Sequence, residues 1–218
     1  IDDIANIGWK LAAMVNGFGG KNLISSYEIE RRPIGIRNTN ISGQYANKIG
    51  TLQFPDYIEE DSTRGSDARA ALKVDLASFK EEFASIGVVL GARYDGSPLV
   101  VSDGTIPPPD HPAKYIPSAT PGGRLPHYWI SDTDSIFDKL GPWFNLIQVG
   151  PERIDVMDFK EAANNLCIPL KIFQVKESAA LDLYQARLLL VRPDTHIAWR
   201  GDSIPNDIKD LFNKIIGN

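Results

Sequence analysis

A dense run of prolines divides this chain of 218 residues into two parts. Seven prolines lie between Ile106 and His127, at positions 107, 108, 109, 112, 117, 121 and 126. Because proline lacks a backbone N–H and fixes φ, this density excludes a regular helix or a central strand from the segment. The sequence therefore predicts a first domain in residues 1–105, a proline-rich linker in 106–118 and a second domain in 119–218.

The first domain begins with the sequence pattern of helices. Apolar residues at three- and four-residue steps predict a first helix that ends at Gly17. These residues are Ile4, Ile7, Leu11, Met14, Val15 and Phe18. A second helix is predicted from Asn22 to Arg32. A third is predicted from Pro33, which can begin a helix but interrupts one, to about Ile49.

The rest of the first domain is predicted to consist of a loop, a helix and a hairpin. Residues 50–65 combine turn formers with acidic side chains, which is typical of a solvated loop. Ser66 can cap a longer helix that ends at Gly87. The predicted apolar face of that helix is Leu72, Leu76, Phe79, Phe83 and Ile86. Two short strands at 88–94 and 99–101, joined by a turn at Asp95-Gly96, are predicted to form a hairpin.

Beyond the linker, strands and helices alternate. Strands are predicted at 128–130, 144–149, 170–175, 186–191 and 196–200, and helices at 135–140, 157–165 and 205–216. A βαβ unit followed by a terminal hairpin and helix is the thioredoxin-like order. The sequence therefore predicts an α/β fold in which a mixed sheet carries helices on both faces.

Charge and composition exclude several classes of function. There are 23 basic and 28 acidic residues, giving a net charge of −5 with no basic block, so neither nucleic acid nor an anionic membrane surface is an expected partner. No apolar run approaches the ~20 residues that span a bilayer, and no signal peptide is recognised at Ile1. The single cysteine, Cys167, cannot form an internal disulfide, which predicts a reducing, cytoplasmic setting.

Three sets of sequence segments occur in an order that is known from one enzyme family. The first set is DIANIGWKL at 3–11 and SYEIERRP at 26–33. The second is LGARYDGSP at 90–98, and the third is PGGRLPH at 121–127 with RPDTHIAWR at 192–200. Together they resemble the C-terminal part of the FAD-dependent aromatic hydroxylases, the phenol-hydroxylase-like flavoprotein monooxygenases.

The resemblance implies that residues 1–105 are the last helices of a flavin-binding domain and its extension, followed by a thioredoxin-like domain. It implies that the whole protein hydroxylates a phenol-like aromatic substrate with FAD, NAD(P)H and oxygen. The family's glycine-rich phosphate loop, its Gly-Asp motif and its substrate-binding domain would precede Ile1. The expected partners are therefore the remainder of the monooxygenase chain and a second copy. No catalytic, cofactor-binding or metal-binding residue is expected in these 218 residues, and neither FAD nor NAD(P)H is expected to bind them.

A second interpretation stays open at this point. The chain could be an independent, redox-inactive thioredoxin-like module that serves binding or oligomerisation. In either case Cys167 is expected to be a buried structural thiol, because it follows a helix and has no second thiol to resolve a disulfide. A start codon directly before Ile1 would favour the independent module.

The remaining polar and aromatic candidates are interpreted as structural. His111, His127 and His196 have no metal-ligand spacing, and His127 is expected to be packed with a hydrogen bond to the linker backbone. Arg31 and Arg32 are expected to form ion pairs that tie two helices together, in preference to a flavin contact. Trp129, Trp143 and Trp199 are expected to pack in a core or interface.

The apolar stripe of the first helix gives a further expectation. By the resemblance, it would pack against the missing part of the flavin domain, so in this chain it would be exposed and would drive self-association. Residues 119–218 are expected to stay compact and independent of the N-terminal helices.

We predict that this chain binds no FAD. The glycine cluster Gly17-Phe18-Gly19-Gly20 follows a helix instead of preceding one, so its amides form no strand-to-helix phosphate cradle. Protein mixed with excess FAD and then desalted is expected to be colourless. A stoichiometric flavin absorbance band would contradict the prediction.

Overall fold

The structure, a computed structural model, describes residues 1–77 and 79–218. Its residues divide into two compact units: Ile1–Pro33, Ala92–Pro109 and Ile116–Asn218 form the first, and Ile34–Gly91 with Asp110–Tyr115 form the second. These units do not follow the predicted boundaries, because the first 33 residues pack with the C-terminal hundred. The division of the whole protein into domains stays a prediction.

The described residues form nine helices and four strands. The helices are α1 (Asp2–Val15), α2 (Ser26–Gly50), α3 (Thr63–Ala77), α4 (Lys80–Phe83), α5 (Ile86–Leu90), α6 (Ile136–Lys139), α7 (Met157–Asn165), α8 (Ala179–Tyr184) and α9 (Ile208–Ile215). The strands are β1 (Phe144–Val149), β2 (Leu170–Val175), β3 (Leu188–Val191) and β4 (Ile197–Gly201). Among the described residues, no helix is both long and apolar enough to span a membrane.

The four strands form one mixed sheet in the order β2-β1-β3-β4. β1 and β2 are parallel and are connected by α7, whereas β3 is antiparallel to both β1 and β4. This confirms the thioredoxin-like fold predicted from the order of elements. The predicted bounds of β1, β2 and α7 are also confirmed. The predicted strand at 128–130 is wrong: only a single bridge from Trp129 to Ser135 forms there. The short helix α8 was not predicted.

Alternate residues of β1 and β3 face two separate cores. On one face Leu146 packs in a cluster with Phe159 of α7 and Phe212 of α9. On the other face Ile147 packs in a cluster with Ala180 of α8 and Ile136 of α6. Helices therefore cover both faces of the sheet, as predicted.

The first helix also contributes to the sheet's core. Trp9 and Ala13 of α1 belong to the same buried cluster as α7 and α9, and the Trp9 ring meets Phe144 of β1 edge to face at 5.7 Å. Phe18 and Leu23, which follow α1, are buried in this cluster too. The expectation that residues 119–218 are independent of the N-terminal helices is therefore wrong.

The opposite side of α1 is exposed as predicted. Ile4, Leu11, Met14 and Val15 have 74%, 50%, 40% and 88% of their surface accessible, whereas Ile7 is half-buried. The buried side of the same helix carries Asn6 and Lys10 as well as Trp9 and Ala13. α1 therefore buries two polar side chains beside two apolar ones and leaves four apolar side chains exposed.

α2 corrects one helix prediction. It continues through Pro33, where the sequence predicts a break between two helices. An interior proline removes one helical hydrogen bond and costs about 3 kcal/mol. Glu30 and Arg31, which precede Pro33 in this helix, have buried side chains.

The second unit differs most from the secondary structure and the burial that the sequence predicts. In place of the predicted helix from Ser66 to Gly87, the structure has α3, α4 and the start of α5. The predicted helix includes Ser78, which lies outside the described residues. Of its predicted apolar face, Phe79 is buried, but Phe83 is 87% exposed.

The predicted hairpin at 88–101 does not form, since residues up to Leu90 belong to α5 and the described residues 92–101 contain only a bridge from Arg93 to Gly123. The turn at Asp95-Gly96 is present, with Gly96 at φ +76°.

We predict that deleting residues 1–117 destabilises the thioredoxin-like part. The deletion removes Trp9 and Phe18 from its core, and loss of one large aromatic from a core costs about 3–5 kcal/mol. A chain beginning at Ser118 is expected to unfold at lower denaturant concentration than the full chain. Equal unfolding midpoints for the β-sheet signal would contradict this.

Candidate functional site

A buried carboxylate with five hydrogen-bond donors lies in the first unit. Glu30 Oε2 accepts from Asn6 Nδ2 at 2.7 Å, from Lys10 Nζ at 2.7 Å and from Arg192 Nη2 at 2.8 Å. Its Oε1 accepts from Ser97 Oγ and from Arg192 Nη1, both at 2.5 Å. The side chains of Glu30, Lys10 and Arg192 are each 0% exposed. We call Asn6, Lys10, Glu30, Ser97, Arg192 and Asp194 the charge cluster.

Four separate elements supply these groups. Asn6 and Lys10 lie four residues apart on α1, and side chains at that spacing share one face of a helix. Glu30 lies in the second turn of α2, and Ser97 follows the turn at Gly96. Arg192 follows β3 directly, so the cluster joins the two N-terminal helices to the β3–β4 hairpin.

The guanidinium of Arg192 contacts two carboxylates and two aromatic rings. It donates bidentately to Glu30 and also to Asp194, with Nε–Oδ1 at 3.1 Å and Nη2–Oδ2 at 2.7 Å. The guanidinium carbon lies 5.2 Å from the centroid of Trp9 and 5.0 Å from that of Tyr94, which is the geometry of a cation–π interaction. Trp9 Nε1 donates to Asp194 Oδ2 at 3.2 Å.

The charges of the cluster are balanced, and their pKa values reflect this. Burial opposes the charge of Glu30, but Arg192, Lys10 and Asn6 outweigh it and hold the pKa of this carboxyl well below its usual range. Burial lowers the pKa of Lys10 to about 8, because attraction to Glu30 offsets only part of the desolvation. Burial also opposes the charge of Arg192, yet Asp194 and Glu30 raise its pKa.

A histidine and a tyrosine stack beside the cluster. The rings of His196 and Tyr94 are 4.0 Å apart, and His196 Nδ1 lies 3.0 Å from the carbonyl oxygen of Asp194. His196 Nε2 has no hydrogen-bond partner among the described residues. Burial lowers the pKa of His196 despite the nearby Asp194. Burial and Asp194 raise the pKa of Tyr94 to about 12.

The glycine cluster does not fit a phosphate-binding loop. Gly17 has φ +81° and ends α1, as predicted. A Cβ on Gly19 would lie 2.9 Å from Leu23 and from the sulfur of Met14, and Gly20 N donates to Ile216 O at 2.7 Å. The glycines are thus occupied by close packing within the chain.

The ion pair predicted to tie the first two helices together is confirmed for Arg31, whereas the ion pair of Arg32 lies within α2. Arg31 Nε donates to Asp3 Oδ1 at 2.7 Å and joins α2 to α1. Arg32 pairs with Glu28 at 4.0 Å on the exposed side of α2. The cluster around Glu30 was not predicted, although Lys10, Glu30 and Arg192 all lie in the segments that carry the family resemblance.

Two of the predicted side-chain environments are wrong. Cys167 is exposed, not buried, because it occupies the left-handed position after α7 at φ 54°, where the chain turns at the surface. His127 is also exposed; it stacks near Phe137 at 6.0 Å and meets Trp129 at 4.8 Å, and no described hydrogen bond joins it to the linker.

Of the three tryptophans expected to pack, Trp199 is buried and Trp143 packs edge to face on Phe18 at 5.0 Å. Trp129 is 61% exposed. Within the part of the chain that the structure describes, no three His, Cys, Asp or Glu side chains are grouped as a metal site would need.

Replacing Glu30 with Gln is expected to lower the free energy of unfolding by about 3–5 kcal/mol. The substitution leaves the buried Lys10 without its ion-pair partner and Arg192 with Asp194 alone, and removing one partner from a buried ion pair costs this much. Glu28→Gln on the same helix is the matched control. Glu28 is exposed, so its loss is expected to change stability by less than about 0.5 kcal/mol. Urea unfolding curves with equal midpoints for the two variants would contradict the prediction.

The low pKa of Lys10 predicts a rise in stability at alkaline pH. The pKa is about 8 in the folded chain and 10.5 ordinarily, so between these values the unfolded chain binds a proton that the folded chain does not. The contribution of Lys10 to the free energy of unfolding therefore increases from pH 8 to pH 9.5, by about 1–2 kcal/mol. Lys10→Met is expected to remove this rise, whereas exposed Lys21→Met retains it. Parallel stability–pH curves for wild type and Lys10→Met would refute the assignment.

The family models match both ends of this chain. Residues 118–218 match the family described as aromatic-ring hydroxylase, C-terminal, and residues 1–42 match an FAD binding domain. The charge cluster joins the two matched segments, since Lys10 and Glu30 lie in one and Arg192 in the other.

Similar proteins are longer. The FAD-dependent monooxygenase opdD of Penicillium oxalicum is 34% identical over 99% of this chain and 43% of its own length. Phenol 2-monooxygenase of Pseudomonas sp. strain EST1001 is 30% identical over 100% of this chain and 41% of its own length. This chain thus spans about two fifths of the length of these relatives.

Solved structures show the same fold. RebC-10x superposes with a TM-score of 0.91 at 32% identity, over 99% of this chain and 41% of that one. The rebeccamycin biosynthetic enzyme RebC with reduced flavin superposes with a TM-score of 0.88 at 32% identity, over 99% and 40%. Residues 118–218 therefore belong to the aromatic-ring hydroxylase C-terminal family, and residues 1–42 belong to the FAD binding domain family.

Proposed function

We propose that this chain is the C-terminal part of a cytoplasmic monooxygenase that hydroxylates a phenol-like aromatic substrate with FAD, NAD(P)H and oxygen. Relatives named as FAD-dependent and phenol monooxygenases, aligned over essentially the whole chain, support this proposal. FAD supplies the oxygen-activating chemistry when it is bound in the whole protein. The identity of the aromatic substrate depends on residues outside this chain.

The role proposed for these 218 residues is structural. The observation that carries it is the charge cluster, in which Glu30, Arg192 and Lys10 are fully buried and paired with one another. Such groups are not accessible to act as an acid, a base or a nucleophile on a substrate. Their effect is to fix α1 and α2, which match the FAD binding domain, against the β3–β4 hairpin.

The exposed apolar stripe of α1 supports a second part of the proposal. Ile4, Leu11, Met14 and Val15 are each at least 40% exposed, and apolar surface of this kind marks an interface. Its proposed partner is the remainder of the monooxygenase chain, because the stripe lies within the segment that matches the FAD binding domain. In the isolated chain the same stripe is expected to drive self-association.

The test compares Glu30→Gln and Glu28→Gln in the full-length monooxygenase encoded by the gene. A structural role predicts that Glu30→Gln lowers the melting temperature and the fraction of protein that retains FAD. The rate of phenol-dependent NAD(P)H oxidation per bound FAD is expected to stay within about twofold of wild type, as for Glu28→Gln. A 100-fold loss of that rate with FAD fully retained would show that Glu30 acts in catalysis. A full-length protein without FAD or aromatic-dependent NAD(P)H oxidation would overturn the proposed enzyme function.

A further inference from the structure

One edge of the thioredoxin-like sheet is open. β2 lies at that edge and pairs with β1 along Leu170–Val175. No described residue hydrogen-bonds to the outward backbone groups of β2. The opposite edge is covered, since Val101 N donates to Ala198 O and Gly122 N to Ile197 O, both at 2.8 Å. Only the β2 edge, within the described residues of this sheet, thus presents a free row of donors and acceptors.

A groove of about 510 Å³ lies beside this edge, between β2 and the start of α7. Its apolar lining is Ile154, Val156, Met157 and Ile172. Met157 is 53% exposed and Ile172 is half-buried, so the apolar surface is accessible from outside. Ile172 belongs to β2 itself, which makes the groove continuous with the open edge.

Two polar groups in the groove have unused hydrogen-bonding capacity. Gln148 is only 3% exposed and lines the groove. Its Oε1 accepts from Ile154 N at 2.9 Å, while its Nε2 donates to no described residue. Asp155 Oδ1 accepts from Met157 N at 3.0 Å, and its second oxygen accepts from no described residue. The groove, which Arg153 also lines, therefore offers a free donor on Gln148 and a free acceptor on Asp155 beside its apolar walls.

We propose that the β2 edge and this groove together bind an extended segment of another polypeptide. The backbone of the segment pairs with the outer side of β2, because alternating N–H and C=O groups are matched only by another main chain. One apolar side chain of the segment occupies the groove against Ile172 and Met157. A peptide group next to it accepts from Gln148 and donates to Asp155, which uses both free positions.

The alternation of β2 adds a charge preference. Lys171 lies on the opposite face of the strand from Ile172, and its Nζ is 6.0 Å from the centroid of the Phe173 ring. A side chain of the bound segment that faces Lys171 is favoured when it is acidic. The expected segment thus alternates an apolar residue toward the groove with an acidic residue toward Lys171.

The experiment selects phage-displayed random dodecapeptides on the immobilised 218-residue chain. Enriched peptides are expected to share alternating apolar and acidic positions. A synthetic copy of an enriched peptide is expected to shift the amide NMR signals of residues 170–175 and 154–157. Methylation of its backbone nitrogens at alternate positions is expected to weaken binding more than tenfold, an effect that side-chain recognition alone does not produce.

Two variants separate the groove from general surface binding. Gln148→Leu is expected to weaken the peptide about fivefold or more, as loss of one buried hydrogen bond does. Gln44→Leu, a substitution of an exposed glutamine on α2, is the matched control and is expected to leave binding unchanged.

Failure of any peptide to enrich, shifts that map elsewhere, or equal binding of the N-methylated peptide would overturn the proposal. A concentration-dependent dimer that Ile172→Lys abolishes would show that a second copy occupies the edge instead, which would also overturn it.

Discussion

The Glu30 carboxylate organises the first unit, because five donors from three other elements converge on it. Burying a charge is costly, and a buried ion pair often adds little net stability compared with apolar residues of the same shape. Removing one partner, however, leaves an uncompensated buried charge and is strongly destabilising. Arrangements of the chain in which one partner is absent from the pair are therefore disfavoured. The carboxylate therefore sets one position for α1 and α2 against the β3–β4 hairpin.

The sheet and its principal helix could be predicted from the sequence because their signals are local. β1 is apolar enough to be buried at all six positions, and the chain alternates strand and helix with short connections on either side of it. The second unit could not be predicted in the same way. In α3 only Gly65 is buried, so the apolar side chains of this helix do not pack in a core. Of the helix face that the sequence spacing predicts there, Phe79 is buried, but Leu76, Phe83 and Ile86 are exposed.

The charge cluster could not be predicted because its partners are distant in sequence. Glu30 and Arg192 are 162 positions apart, and no local pattern distinguishes Glu30 from the exposed Glu28 and Arg32 on either side of it. The sequence did favour ion pairs between the first two helices, which Arg31 and Asp3 form. It did not indicate that α1 turns Asn6 and Lys10 inward, since helical periodicity assigns apolar residues to the buried side.

The distance between Glu30 and Arg192 has a consequence for synthesis. A ribosome adds about 5–20 residues per second, so the 162 positions between them take roughly 8–30 s. During this interval Lys10 and Glu30 have been synthesised, but the Arg192 guanidinium that also pairs with Glu30 has not. α1 and the start of α2 therefore lack one of their charged partners until the end of the chain is made. A chain that ends before Arg192 lacks the cation that pairs with both oxygens of the Glu30 carboxylate.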